Sequence, residues 1–210
     1  NKSRIAEHCF NQSNTSIMKS LKLVFGGLLI MLLSVQFSVA QTYNLSNNSS
    51  TLKVDGTSNL HDWSITSNNQ KGKMTAVTND GKVTKIQALE FSVTTESLKS
   101  GKSGMDKNTY KALKSDKHKQ ITFTMNNVKS LNCSSANSCK ATVNGNLNIA
   151  GVSKPVDITF DIKVSGSSIT LTGNRKIKMT DFKVDPPTAM LGTITTGNEV
   201  NVIFKSVFTR

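Results

Sequence analysis

The sequence predicts an all-β domain, an eight-stranded antiparallel barrel with one short helix between strands. From Val156 to Val164 apolar and polar residues alternate without a slip for nine positions, as only a strand with one wet face does. About eight segments of this kind recur, and Asp80-Gly81, Ser165-Gly166 and Gly197-Asn198 stand between them as turn signals. Several segments run to ten residues or more. Strands that long suit a closed barrel, which removes exposed edges, better than a sandwich of short strands.

In chain order, the first two segments lie near 50 to 58 and 61 to 78, the second with Trp63 and Ile65 facing inward. Leu89, Phe91 and Val93 mark the inner face of a strand over 83 to 95. The period then breaks. Ser103-Gly104-Met105-Asp106 resembles a capping box with Asp in the Glu or Gln place, and "KNTYKALKS" after it has helix-forming composition. Met105, Thr109, Ala112 and Leu113 share one face of this helix, with Lys107, Lys111 and Lys114 on the opposite one. Ile121, Phe123 and Met125 define a strand over 120 to 131. Val143, Leu147 and Ile149 define the next, over 139 to 150, where inward Ala141 and Gly145 leave room beside the large residues. The alternating run fills 154 to 164, a further strand covers 168 to 179, and Val200, Val202 and Phe204 mark the last over 199 to 208. Pro186-Pro187 cannot lie in a regular central strand, so Pro186 to Leu191 forms a loop. Its apolar end, Met190 and Leu191, either lids the barrel or simply connects strands.

Met18 to Ala40 has the layout of a secretory signal peptide: Lys19 and Lys22, an apolar run from Leu23 to Leu33, then Ser38 and Ala40 as the small residues before a cut. The expected organisation is a non-translated or upstream segment over 1–17, a signal peptide over 18–40 and a barrel domain over 41–210, periplasmic or secreted after cleavage near Ala40. An uncleaved anchor is the alternative, but the run is short for a span of about 20 residues. Cleavage reduces 26 basic and 13 acidic residues to 22 and 12, a net charge of +10. It also leaves two cysteines, Cys133 and Cys139, and two histidines, His61 and His118. The cysteines, with "SSANS" between them, are expected to form a disulfide across a hairpin loop. A redox or metal pair would want closer spacing and partner ligands.

The inventory bears on catalysis. In the chain left after cleavage His61-Asp62 is the only histidine beside a carboxylate, too little for a metal site of three or four ligands. No GxSxG elbow accompanies a serine nucleophile, and no phosphate-cradling glycine loop is present. The expectation is no enzyme, no catalytic residue and no metal, with a hydrolase using His61 and Asp62 as the weaker alternative. Basic charge suits nucleic acid, yet aromatic residues make up only 6% and export would separate the protein from that target. Lys99, Lys102, Lys107, Lys111, Lys114, Lys117 and Lys119 crowd around the helix. They are either a solvated face or a transient contact for an anionic membrane.

"VDGTSNLHDW", "SGMDKNTYKALKSDKHKQITFTM", "VNGNLNIAGVSKPVDITF" and "KIKMTDFKVDPPTAMLGTITTGNEVNVIF" occur in this order. Together they resemble the YceI-like family of lipocalin-like, polyisoprenoid-binding proteins, over roughly residues 50 to 208. The resemblance implies a lipocalin-like barrel exported to the periplasm, with an apolar cavity that holds a polyisoprenoid chain such as the tail of an isoprenoid quinone, and no covalent cofactor. Two positions depart from the family: His118-Lys119-Gln120 stands where a proline often precedes the strand, and Lys183 where a glycine commonly follows the "DF" pair.

The family carries no catalytic motif, so alternation supplies the candidate cavity residues: Trp63, Phe91, Phe123, Met125, Phe160, Met179 and Phe204. His61, Met190 and Leu191 are candidates for the mouth. A barrel of this size is either filled by its own side chains or wide enough for one ligand. A filled barrel would make the chain a structural or stress-related envelope protein.

Overall fold

The computed structural model describes residues 39–135 and 137–210. The expected upstream segment, and the expected signal peptide but for Val39 and Ala40, lie outside the described residues. Eleven strands follow: β1 (Gln41–Leu45), β2 (Thr51–Ser58), β3 (Trp63–Ser67), β4 (Gln70–Asn79), β5 (Lys82–Thr94), β6 (Gln120–Ser135), β7 (Ser138–Ile149), β8 (Val152–Ser165), β9 (Ser168–Lys178), β10 (Thr188–Ala189) and β11 (Ile194–Thr209). Helix α1 (Ser103–Ala112) lies between β5 and β6.

The sheet closes. Strands β1, β4, β5, β6, β7, β8, β9 and β11 neighbour one another in that order, and β11 returns to β1 through Asn44↔Thr209 and Leu45↔Phe208. Every pairing is antiparallel, so the ring has eight strands as expected.

Two of the eight positions are broken strands. β1 and β2 lie one after the other along the same edge of β11. On their far side, β4 pairs with β1 and β3 pairs with β2. The segment expected as one strand over 61 to 78 is therefore two, and β1 extends the first position beyond the expected 50 to 58. Asn47, Asn48, Ser49, Asn68 and Asn69 sit at the breaks, residue types whose side chains compete for backbone partners. Asn47 joins the two: its Nδ2 donates to the Asn68 carbonyl, and its Oδ1 accepts from Gln70 N at 2.8 Å. Ser50 Oγ accepts from Val207 N at 2.9 Å and so keeps a ladder rung where β1 gives way to β2.

Other expectations need correction. Gly197-Asn198 is no hairpin turn; it lies inside β11, in a register shift between Thr196 and Val200. There Asn198 serves the neighbouring segment, its Oδ1 accepting from Thr180 N at 3.0 Å. The capping box is absent as well. Ser103 is already helical and Lys102 holds the cap position without a side-chain bond. Asp106 instead accepts from Ser100 N (2.8 Å) and Ser100 Oγ (2.6 Å), fastening the turn before the helix. These donors hold its carboxyl below the usual carboxylate range, the Ser100 hydroxyl most of all.

The lower end of the barrel is closed by tight hairpins, with Asp80-Gly81 at φ 48° and 75° and Gly166 at φ 56°. Two consecutive left-handed residues match the twist of the flanking strands. Cys133 and Cys139 face each other across β6 and β7 and are joined as a disulfide. Above them Met74, Val83, Val143, Ile162, Ile169 and Phe208 are each 1% exposed or less. At the upper end a four-residue loop over 59–62 and two long connections over 95–119 and 179–193 emerge beside the tight β7–β8 hairpin at Ala150-Gly151.

Candidate functional site

An apolar cavity of about 770 Å³ occupies the upper half of the barrel. Buried Leu89, Leu171 and Phe208 border it where the packed lower half begins. Its walls include Trp63, Ile65, Phe91, Phe123, Phe160, Ile177, Val202 and Phe204. Met105, Thr109, Ala112 and Leu113 of α1 complete the wall, so the apolar face expected for the helix is the face turned to the cavity. Tyr110 moors α1: its hydroxyl lies 2.9 Å from the carbonyls of both Glu96 and Leu98, and Lys99 Nζ stands 5.0 Å from its ring centre.

Three aromatic walls rest on glycines. A Cβ at Gly56 would lie 2.1 Å from the Trp63 ring, one at Gly145 2.4 Å from Phe123 and one at Gly173 2.8 Å from Phe204. Each ring lies across a neighbouring strand that lacks a side chain at that point, a recurrent way of covering glycine in sheets. Trp63 is further fixed by Nε1 donating to the Thr57 carbonyl at 3.0 Å. This corrects one expectation: the room beside Gly145 is taken by Phe123, and Ala141, 0% exposed, belongs to the packed lower half.

Polar groups gather at the rim. His61, Lys102, Lys107 and Arg175 all border the cavity. Lys107, exposed like Lys111 and Lys114 as expected, also reaches the cavity rim. On β9 the residues paired with Phe208, Ser206, Phe204, Val202 and Val200 are Ile169, Leu171, Gly173, Arg175 and Ile177, so Arg175 stands at an inward position of an otherwise apolar face. The β8–β9 ladder ends at Phe160↔Gly173, and Arg175 sits just beyond, exposed where the wall opens. Lys129 and Asn144 hold the Asp157 carboxyl on β8 below the usual range by direct hydrogen bonds, and Arg175 adds a smaller attraction.

Of the candidate cavity residues, Trp63, Phe91, Phe123, Phe160, Met179 and Phe204 line this space, as do His61 and Met190 at the mouth. Met125 does not. A register shift after Met125 and the end of the β5–β6 ladder at Glu90↔Thr124 leave it in a separate side cleft with Ile86, Val128 and Leu131. Leu191 also misses the cavity and is fully exposed, so it is no lid. Phe182 and Val184, buried in the segment after β9, and the inward Arg175 were not anticipated. The parity of β9, from Ile169 to Ile177, carried the signal for Arg175.

The His61-Asp62 pair is not a side-chain pair. His61 Nδ1 lies 2.8 Å from the backbone carbonyl of Asp62, and both residues are exposed. Among the described residues no three His, Cys, Asp or Glu side chains come together as a metal site would require.

A closed antiparallel barrel with an apolar cavity open at one end is the lipocalin-like class of architecture. Within it, the chain matches the YceI-like domain over residues 35–208 and belongs to that family. Two solved structures share the fold. Burkholderia cenocepacia BcnA is 16% identical, with a TM-score of 0.62 and coverage of 78% of this chain and 98% of its own. A polyisoprenoid binding domain from Saccharophagus degradans, implicated in plant cell wall breakdown, is 14% identical, with a TM-score of 0.61 and coverage of 80% and 97%. No curated protein matches the chain.

Proposed function

We propose that this protein is an exported, non-catalytic carrier that holds a polyisoprenoid chain, such as an isoprenoid quinone tail, in the upper cavity. The observation that carries the reading is the cavity itself: about 770 Å³ of apolar space beside a lower half already packed by its own side chains. Such a volume falls within the usual range for small-molecule sites. A prenyl tail asks for apolar area, at roughly 0.8 kcal/mol per buried methylene, and for little polar chemistry. Its head group would sit at the rim, beside His61, Lys102, Lys107 and Arg175. The polyisoprenoid binding of the Saccharophagus degradans domain supports the same ligand class. Against a hydrolase stands the geometry of His61, whose imidazole is oriented by a backbone carbonyl and not by the Asp62 carboxylate.

Export rests on the signal-like segment over 18–40 and fits the Cys133–Cys139 disulfide, a bond of oxidising compartments. The lysines around α1 bring the mouth to an anionic membrane surface, where ligand is exchanged. Native mass spectrometry of gently purified protein tests the carrier reading, together with Trp63 fluorescence on titration with farnesol. A co-purifying prenyl lipid and a saturable fluorescence change are expected; neither appearing would refute it. The same spectrum reads the N-terminus, expected at Gln41.

A further inference from the structure

We propose that the upper rim is a bilayer-docking surface. Leu60, Met190 and Leu191 insert among the lipids of an anionic membrane while lysines of the 95–119 segment hold its head groups, so that the cavity opens against the bilayer. The inference rests on the lipid-carrier reading and adds to it the apolar anchors that insert into the bilayer.

Among the described residues four large apolar side chains stand well exposed: Val39 (67%), Leu60 (64%), Met190 (72%) and Leu191 (109%). Three of the four are on this rim, on two different loops. Asn59 ties those loops together: its N donates to the Thr195 carbonyl (3.1 Å), its Nδ2 donates to the Thr193 carbonyl (2.9 Å), and its Oδ1 accepts from Thr195 N (2.9 Å). Leu60 and Met190 both border the cavity, so the apolar tips flank its opening.

Met190 and Leu191 are consecutive left-handed residues at φ 51° and 55°, a conformation that bulky side chains rarely adopt. Strain of this kind persists where surrounding structure enforces it, and here it presents two large apolar groups to solvent. A bilayer interface is an environment that rewards such groups.

Charge selects the sign of that surface. The 95–119 segment carries seven lysines against Glu96, Asp106 and Asp116. Lys99 is engaged over Tyr110, Lys119 pairs with Glu96 at 3.7 Å, and Asp106 is taken by Ser100. Lys102, Lys107, Lys111, Lys114 and Lys117 are exposed and make no ion pair among the described residues. Each lysine brought close to an anionic leaflet strengthens binding about fivefold.

The test is sedimentation of the purified protein with vesicles of phosphatidylcholine and phosphatidylglycerol in equal parts, at low salt. Wild type is expected to sediment. Leu191→Ser, which changes neither charge nor cavity lining, is expected to partition about tenfold less, the effect of removing one large apolar side chain from an interface. Its farnesol response at Trp63 should match wild type, which also shows that it is folded. Failure of wild type to sediment overturns the proposal. So does wild-type partitioning by both Leu191→Ser and Leu60→Ser, since the lysines would then act alone. If the vesicle results hold while farnesol leaves Trp63 unchanged, the docking surface stands and the ligand reading fails.

Discussion

The lower and upper halves of this barrel share a ring of strands yet solve opposite problems. Below, short hairpins, a disulfide and side chains with almost no exposure pack the interior apart from a side cleft between β5 and β6. Above, β8 and β9 part beyond Phe160↔Gly173, and the free edge of β3 takes one bridge from Thr66 to Lys99. Helix α1 enters the wall there, and apolar residues face a cavity instead of one another. Apolar burial that would stabilise the fold is left unrealised in the upper half, available to a ligand. The comparison teaches that stability and binding are segregated along the barrel axis.

The largest test of that division compares two isoleucines. Ile162→Ala in the packed half should cost about 2–5 kcal/mol, because the void it leaves cannot collapse. Ile177→Ala, beside an existing cavity, should cost only about 1 kcal/mol, with weaker farnesol binding as its main effect. Urea unfolding measures both, and equal costs would break the distinction. Replacing Cys133 and Cys139 by Ala should cost about 2 kcal/mol by releasing a short loop, without changing the Trp63 response to farnesol.

A smaller effect with the opposite sign is expected at Lys183, held at φ 53° on the way from β9 to the mouth loop. Lys183→Gly should relieve left-handed strain and raise stability by about 1 kcal/mol or less, after the greater chain entropy of glycine is subtracted.

The Asp106 carboxyl is depressed in the folded state by its bonds from Ser100, so its contribution is fully present above the unfolded carboxylate value near about 3.9 and disappears as pH falls through the lower folded value. Amide exchange in α1 should therefore quicken in acid before the packed half loosens. Asp106→Asn should show the faster exchange already at neutral pH and remove most of its acid dependence.

Much of this architecture was legible in the chain because period-two alternation reports directly which face is buried. It located the ring of eight and placed six of its seven candidates on the cavity wall, while the 3.6-residue period put the cavity-facing side of α1 on the correct helical face. It failed at Met125, which keeps the parity of Phe123 but lies past the end of the β5–β6 ladder and so opens on a side cleft, and at Gly197-Asn198, where a turn-like dipeptide serves a bulge. The break at Asn68-Asn69 was written in turn-forming residues but masked by regular alternation on either side. Arg175 was missed for a different reason: a charged residue at an inward position looks like an error in the pattern until the cavity explains it.

The junction held by Asn47 carries a wider consequence. Because two neighbouring strands are interrupted at one level, a single ring of eight has a base in which β1 and β4 stand and a crown in which β2 and β3 take their places and α1 joins the cavity wall. Mutations that enlarge or reshape the crown need not disturb the registers below it. A lineage built on this plan can exchange one cargo for another while inheriting its foundation unchanged.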